Sequence, residues 1–116
     1  MVVDSDNARR ADQLFHAFAD ATRRDIVLHA MHGEHTVSSL ARRYPMSFAA
    51  VQKHVAVLEQ AELITKTRRG RQQLVRTNLE GVRRTRFLLD QLESVWRSRI
   101  DHIGEIVAEL DEGATS

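Results

Sequence analysis

Cysteine is missing from this 116-residue chain, which rules out a disulfide framework, a thiolate metal site and a cysteine nucleophile. Proline occurs once and glycine five times, too few for a flexible linker, and no internal repeat or low-complexity tract is present. No apolar run approaches the roughly 20 residues that span a bilayer. The N-terminus, MVVDSDNARR, has no signal-peptide apolar core. The expected location is therefore the cytoplasm, with no membrane partner. A glycine-rich phosphate loop, a Gly-x-Ser-x-Gly elbow and a paired acid–base constellation are also absent. The chain is expected not to be an enzyme and to need no cofactor.

At 42% hydrophobic and 28% charged, the chain suits one globular domain over residues 1–116. Met1 to Asn7 reads as frayed. Ala11, Leu14, Phe15 and Phe18 recur at the spacing of one buried helical face. Asp20 is placed to cap a second helix that turns Ile26, Val27, Ala30 and Met31 inward and stops near Gly33. Thr36 opens a short third helix with Val37, Leu40, Ala41 and Tyr44 as its apolar side, ended by Pro45, which disfavours helical geometry at Tyr44. Ser47 caps a fourth, whose Val51, Val55 and Leu58 face the core. Leu63 to Thr67 and Gln72 to Thr77 are β-prone, and Arg69-Gly70-Arg71 supplies a hairpin tip in which glycine permits positive φ. A long helix follows, from about Glu80 to about Leu110.

Charge is distributed unevenly. Thr36 to Thr77 holds eight cationic residues and two acidic ones, a local net of +6 in a chain whose overall net is +1. A helix-turn-helix (36–60) followed by a cationic hairpin (63–77) is a device for gripping duplex DNA: the field attracts phosphates and the second helix enters a major groove. The fourth helix presents Ser47, Phe48, Ala49, Gln52, Lys53 and His54 with no carboxylate over its first two turns. Gln52 can pair bidentately with adenine, Phe48 or Ala49 can touch a thymine methyl, and Lys53 can reach guanine or a phosphate. His54 can instead orient the helix from its side. Arg68, Arg69 and Arg71 exceed what an edge strand needs for protection and suit a phosphate grip or a narrow minor groove. Arg23, Arg24, Arg42 and Arg43 read equally as phosphate contacts or as surface ion pairs.

The order helix-helix-helix-helix-hairpin-helix resembles the ArsR family of bacterial winged-helix repressors, from about Ala11 to Leu110. The residues carrying the resemblance are Phe18 to Arg24 entering the second helix, Leu40-Ala41, Ser47 to Val55 with Leu58, and Ala61-Glu62-Leu63-Ile64 leading into Arg68-Arg69-Gly70-Arg71. The tail Leu89 to Glu93, with Trp96, Arg99 and Asp101, is similar to a subgroup related to the autorepressor SdpR, which lacks the family's metal sites. The resemblance implies a mainly α fold with a small β-hairpin: a winged helix-turn-helix of five helices, a two-stranded wing and a long C-terminal dimerisation helix. Two positions depart from the family. Ala21 stands where proline is common, and Glu62 where glycine is common at the exit from the recognition helix. Either Glu62 is strained by roughly 1–2 kcal/mol in a positive-φ turn, or the loop is remodelled.

His29, His32 and His35, and the pair His102 and Glu105, raise the question of a metal. Gly33 disperses the first set and leaves His35 in a loop. The family's metal sensors use cysteines in the third helix, or an Asp-x-His upstream of the last-helix pair where this chain has Asp90-Gln91-Leu92. No metal site is expected. The long helix has more apolar length than one small body covers, which points to a homodimer through Leu89, Leu92, Trp96, Ile100, Ile103, Gly104 and Val107, with Leu14 of the first helix (about 9–18). The leading expectation is a homodimeric repressor on a pseudo-palindromic, double-stranded operator. The rivals are a winged-helix protein-interaction module without specific DNA binding, and a repressor gated by a small molecule between the long helices. The sequence names no effector.

Overall fold

The computed structural model describes residues 5–114. Of the segment expected to be frayed, Met1 to Asp4 lie outside them, and Ser5 to Asn7 instead form the start of the first helix, earlier than the expected position of about 9. The element order is α1 (Ser5–Phe18), α2 (Ala21–Ala30), β1 (His35–Thr36), α3 (Val37–Ala41), α4 (Phe48–Gln60), β2 (Ile64–Arg69), β3 (Gln72–Thr77) and α5 (Leu79–Ala114). This is a winged helix-turn-helix: α3 and α4 form the helix pair, and β2 and β3 form the wing. The sheet has a third strand, in the order β1-β3-β2, all antiparallel. His35, expected in a loop, pairs with Val75, and Thr36 pairs with Leu74. Two residues are too few to show strand periodicity, and the pairing arises because the segment between α2 and α3 runs along the open edge of β3.

Each short helix starts on a side chain that satisfies amides its first turn leaves free. Asp20 accepts from the Arg23 amide at 3.0 Å, and that bond is the main reason its carboxyl is held below the ordinary range. Thr36 and Ser39 cap each other's backbone reciprocally at the start of α3. Ser47 accepts from the Ala50 amide at 3.1 Å to open α4. Helix α3 ends at Ala41, earlier than Pro45 alone requires. Tyr44 lies beyond it and donates its hydroxyl to Asp25 at 2.7 Å. Burial and that carboxylate push the phenol well above its usual range.

The chain divides into two compact units, one ending at Thr85 and the other beginning at Arg86. The core of the first is built from Ile26, Leu40, Val51, Val55, Leu58, Leu63, Ile64 and Val75, all essentially inaccessible. Two apolar residues expected inside are not. Met31 is 44% exposed and Phe15 is 38% exposed. In α1 it is Leu14 and Ala17 that are buried, so the inward face is turned away from Phe15.

The turn between α4 and β2 keeps the positive φ that the family's glycine would supply. Glu62 has φ 60°, a left-handed conformation costing roughly 1–2 kcal/mol for a residue with a Cβ. Its carboxylate is bonded to Arg84, which lowers its pKa. Gly81, in the first turn of α5, packs directly on this turn: a Cβ there would lie 2.0 Å from the Glu62 carbonyl oxygen.

The second unit is the remainder of α5. Its large apolar side chains from Phe87 to Leu110, Leu88 excepted, are between 44% and 68% exposed. At 100° per residue, Leu89, Leu92, Val95, Trp96, Ile100, Ile103, Ile106, Val107 and Leu110 fall within an arc of roughly 140°, a continuous apolar stripe.

Candidate nucleic-acid interface

Three faces of α4 have different tasks. Val51, Val55 and Leu58 are buried against the body of the first unit. Ala49, Gln52, Lys53 and Ala56 are exposed. Ser47 and Phe48 are exposed at the start of the helix, with Phe48 at 47%. The exposed face thus presents Ser47, Ala49 and the Phe48 ring at its N-terminal end and carries one amide and one ammonium on its second turn. His54 is only half-buried and turned to the flank, where its Nδ1 lies 3.2 Å from Nη1 of Arg23.

The wing stands beside this helix. Its strands pair from Ile64↔Thr77 to Arg69↔Gln72, leaving a two-residue tip in which Gly70 has φ 62°. Arg68, Arg69 and Arg71 are all exposed. A cavity of about 340 Å³ opens between wing and helix, lined on one side by Phe48, Gln52 and Val55 and on the other by Lys66, Arg71, Gln72 and Gln73. The floor by Val37 and Val55 is apolar, while the rim carries cations and amides. No carboxylate lines it.

Not all of the +6 charge is free. Lys66 pairs with Glu59 at 3.4 Å. Glu34, just upstream of the charge-rich segment, reaches Arg76 at 2.7 Å and Arg69 at 3.5 Å. Arg43 bonds His29 at 2.9 Å. Among the described residues, Arg42, Lys53, Arg68 and Arg71 have no ion pair. Glu34 was invisible to the sequence argument because strand pairing, not sequence proximity, brings it to the wing.

Arg23 is not a surface cation, whereas Arg24 is exposed. Arg23 is 9% exposed; its Nε donates to the Ala17 carbonyl at 2.9 Å and its Nη2 to the His16 carbonyl at 2.8 Å. Arg24 donates to the Phe18 carbonyl at 2.6 Å. Together they satisfy the Ala17 and Phe18 carbonyls at the end of α1, and Arg23 adds a second donor to the His16 carbonyl, which also accepts from the Ala19 amide. One sequence signal was available: an arginine three residues after the N-cap Asp20 sits one helical turn from the chain reversal, within reach of the preceding helix end.

Two of the histidines expected to be dispersed, His29 and His35, come together. His29 lies 3.3 Å from Asp25 and meets the His35 ring edge-on with centroids 6.2 Å apart. His102 and Glu105 are 4.0 Å apart on α5. Among the described residues no three His, Cys, Asp or Glu side chains converge on a point that would hold a metal ion. No described helix is long and apolar enough to cross a membrane.

Of the residues expected at a dimer interface, Leu89, Leu92, Trp96, Ile100, Ile103 and Val107 are exposed on the α5 stripe. Gly104 lies beside it, and a Cβ added there would meet nothing within 4 Å in this chain. Leu14 differs: it is 3% exposed in the core of its own protomer and has no surface left to offer a second. Val95 and Ile106, not anticipated, belong to the stripe.

No protein-family model matches the chain. It is 36% identical over 83 residues to the HTH-type transcriptional regulator Rv2034 of Mycobacterium tuberculosis, covering 72% of this chain and 78% of that protein. Among solved structures, an ArsR-like transcriptional regulator from Rhodococcus sp. RHA1 superposes with a TM-score of 0.81 at 25% identity, covering 92% of this chain and 98% of that one. The ArsR family transcriptional regulator RHA00566 superposes with a TM-score of 0.72 at 27% identity, covering 78% and 94%. The chain belongs to the ArsR family of winged helix-turn-helix transcriptional regulators.

Proposed function

We propose that the protein is a cytoplasmic, non-enzymatic, homodimeric repressor that binds a pseudo-palindromic operator, with α4 in the major groove and the wing on the adjacent backbone. The observation carrying this reading is the face made by Ala49, Gln52 and Lys53 beside the Arg68–Arg71 tip. Small residues permit close approach, Gln52 offers a donor and an acceptor, and Lys53, Arg68 and Arg71 are unpaired cations. The exposed α5 stripe supports the dimer, since monomers rarely leave so long an apolar strip in water. Two copies related by a two-fold axis would then set recognition helices into successive grooves about one helical turn apart. A promoter occupied in this way is closed to polymerase. The absence of cysteine favours a member of the family that works without metal, as the resemblance of its tail implies.

Base readout and phosphate grip separate experimentally. Gln52→Ala should weaken operator binding by about 1–3 kcal/mol and leave binding to random duplex almost unchanged. Arg71→Ala should weaken both and flatten the dependence of log affinity on log salt by about one unit. Wild-type operator affinity in both variants, by fluorescence anisotropy, would contradict this assignment of helix and wing.

Glu34 provides a test of opposite sign. Because it neutralises Arg69 and Arg76, Glu34→Gln should raise affinity for random duplex several-fold and steepen the salt dependence by up to about one unit per freed cation. Unchanged affinity and slope would mean that neither arginine reaches a phosphate.

A further inference from the structure

Arg23 makes one bond more than the end of α1 needs. Its Nε and Nη2 close the Ala17 and His16 carbonyls, and the remaining nitrogen, Nη1, is aimed at His54 of the recognition helix. A guanidinium only donates. Nδ1 of His54 is therefore the acceptor, and the ring carries its proton on Nε2. That nitrogen has no partner within the chain among the described residues and is not among the buried unpaired atoms, so solvent reaches it. The planar fork of Arg23 is itself held by two carbonyls and buried, which fixes the imidazole plane as well as its tautomer.

Resting on the DNA-binding reading above, we propose that Arg23 is a positioning residue for DNA recognition, holding His54 so that Nε2–H is a neutral donor to a backbone phosphate oxygen. Helix geometry selects phosphate over base. Successive side chains on α4 are set about 100° apart, so His54 lies one step round from Lys53 and roughly opposite Gln52. With Lys53 directed at the groove floor, His54 stands about 100° to one side of it and faces the groove wall, where the phosphates run. A contact of this kind fixes the register of the helix without reading sequence. It also ties the orientation of α4 to the C-terminal end of α1 through one buried side chain.

A neutral donor has a signature that neither a cation nor a purely structural residue shares. It adds affinity without releasing a counterion, so its loss lowers affinity while the salt slope stays fixed. The test measures binding to a random-sequence duplex across a salt series, with thermal unfolding of each free protein in parallel. His54→Asn, which retains an acceptor near Nδ1 and loses the outer N–H, should bind about 3- to 10-fold more weakly with slope and Tm unchanged. His54→Gln, whose amide places an N–H near Nε2, should recover most of that loss. Arg23→Lys should weaken binding of the wild-type chain comparably, and add nothing in the His54→Asn background. Three results would overturn the proposal: wild-type affinity in His54→Asn, a slope reduced by about one unit in that variant, or an equal loss from Arg23→Lys in both backgrounds. If Arg23→Lys does not fold, the two His54 variants decide alone. A wild-type protein that binds no duplex at any salt concentration would overturn the DNA-binding reading itself, a result distinct from the other three.

Discussion

Ile103→Asp is expected to leave the protein monomeric at micromolar concentration and unable to hold its operator. Ile103 lies near the middle of the apolar stripe of α5 and is 59% exposed in the single chain. Burying such a side chain contributes about 1.5–3 kcal/mol. A two-fold interface loses it twice, or about 3–6 kcal/mol, and each 1.4 kcal/mol is tenfold in affinity. The dimer should weaken by roughly 100- to 10,000-fold before the cost of placing two unpaired carboxylates at the interface is added. Operator binding should fall with it, because one protomer engages one half-site. Sedimentation equilibrium gives the answer directly: a variant that remains a tight dimer would place the interface elsewhere.

Gly81→Ala should be the most damaging small substitution in the first unit. Its Cβ would meet the Glu62 carbonyl oxygen at 2.0 Å, the Glu62 carbonyl carbon at 2.9 Å and the Leu63 Cα at 3.2 Å. All three are backbone atoms and cannot swing aside as a side-chain tip would. The turn they belong to is already strained by the φ of 60° at Glu62 and is anchored by the buried Leu63 and Ile64. Overpacking of this kind costs about 3 kcal/mol, which for a domain of this size lowers Tm by on the order of 10–20 °C. Thermal unfolding within a degree or two of wild type would show that α5 can shift away from the turn freely.

Local chemistry made much of this legible in the sequence. Asp20, Thr36 and Ser47 are the observed caps, because a short polar side chain ahead of an apolar period acts on amides only two or three residues away. The hairpin tip at Gly70 was visible for the same reason, and the family pattern showed that Glu62 occupies a position built for glycine. What was missed depends on contacts distant in the chain. Pairing of His35–Thr36 with β3 carries no periodicity of its own, and Glu34 meets the wing only because of it. Arg23 is a charged residue in an arginine pair, so its burial is set by the open carbonyls of α1. Phe15 and Met31 show the converse: a helical apolar residue is not committed to the core when the neighbouring turn already fills it.

The central claim is that α4 and the wing of a dimer hold specific duplex DNA, and footprinting tests it most directly. The protein should be mapped across genomic DNA, starting with the region upstream of its own coding sequence. The account predicts a protected, pseudo-palindromic site whose two halves lie on one face of the duplex, spaced by about one helical turn or a multiple of it, with protection lost in the Gln52→Ala, Arg71→Ala double variant. No discrete protected site at salt concentrations where the protein is folded and dimeric, or a site that survives the double variant, would contradict it.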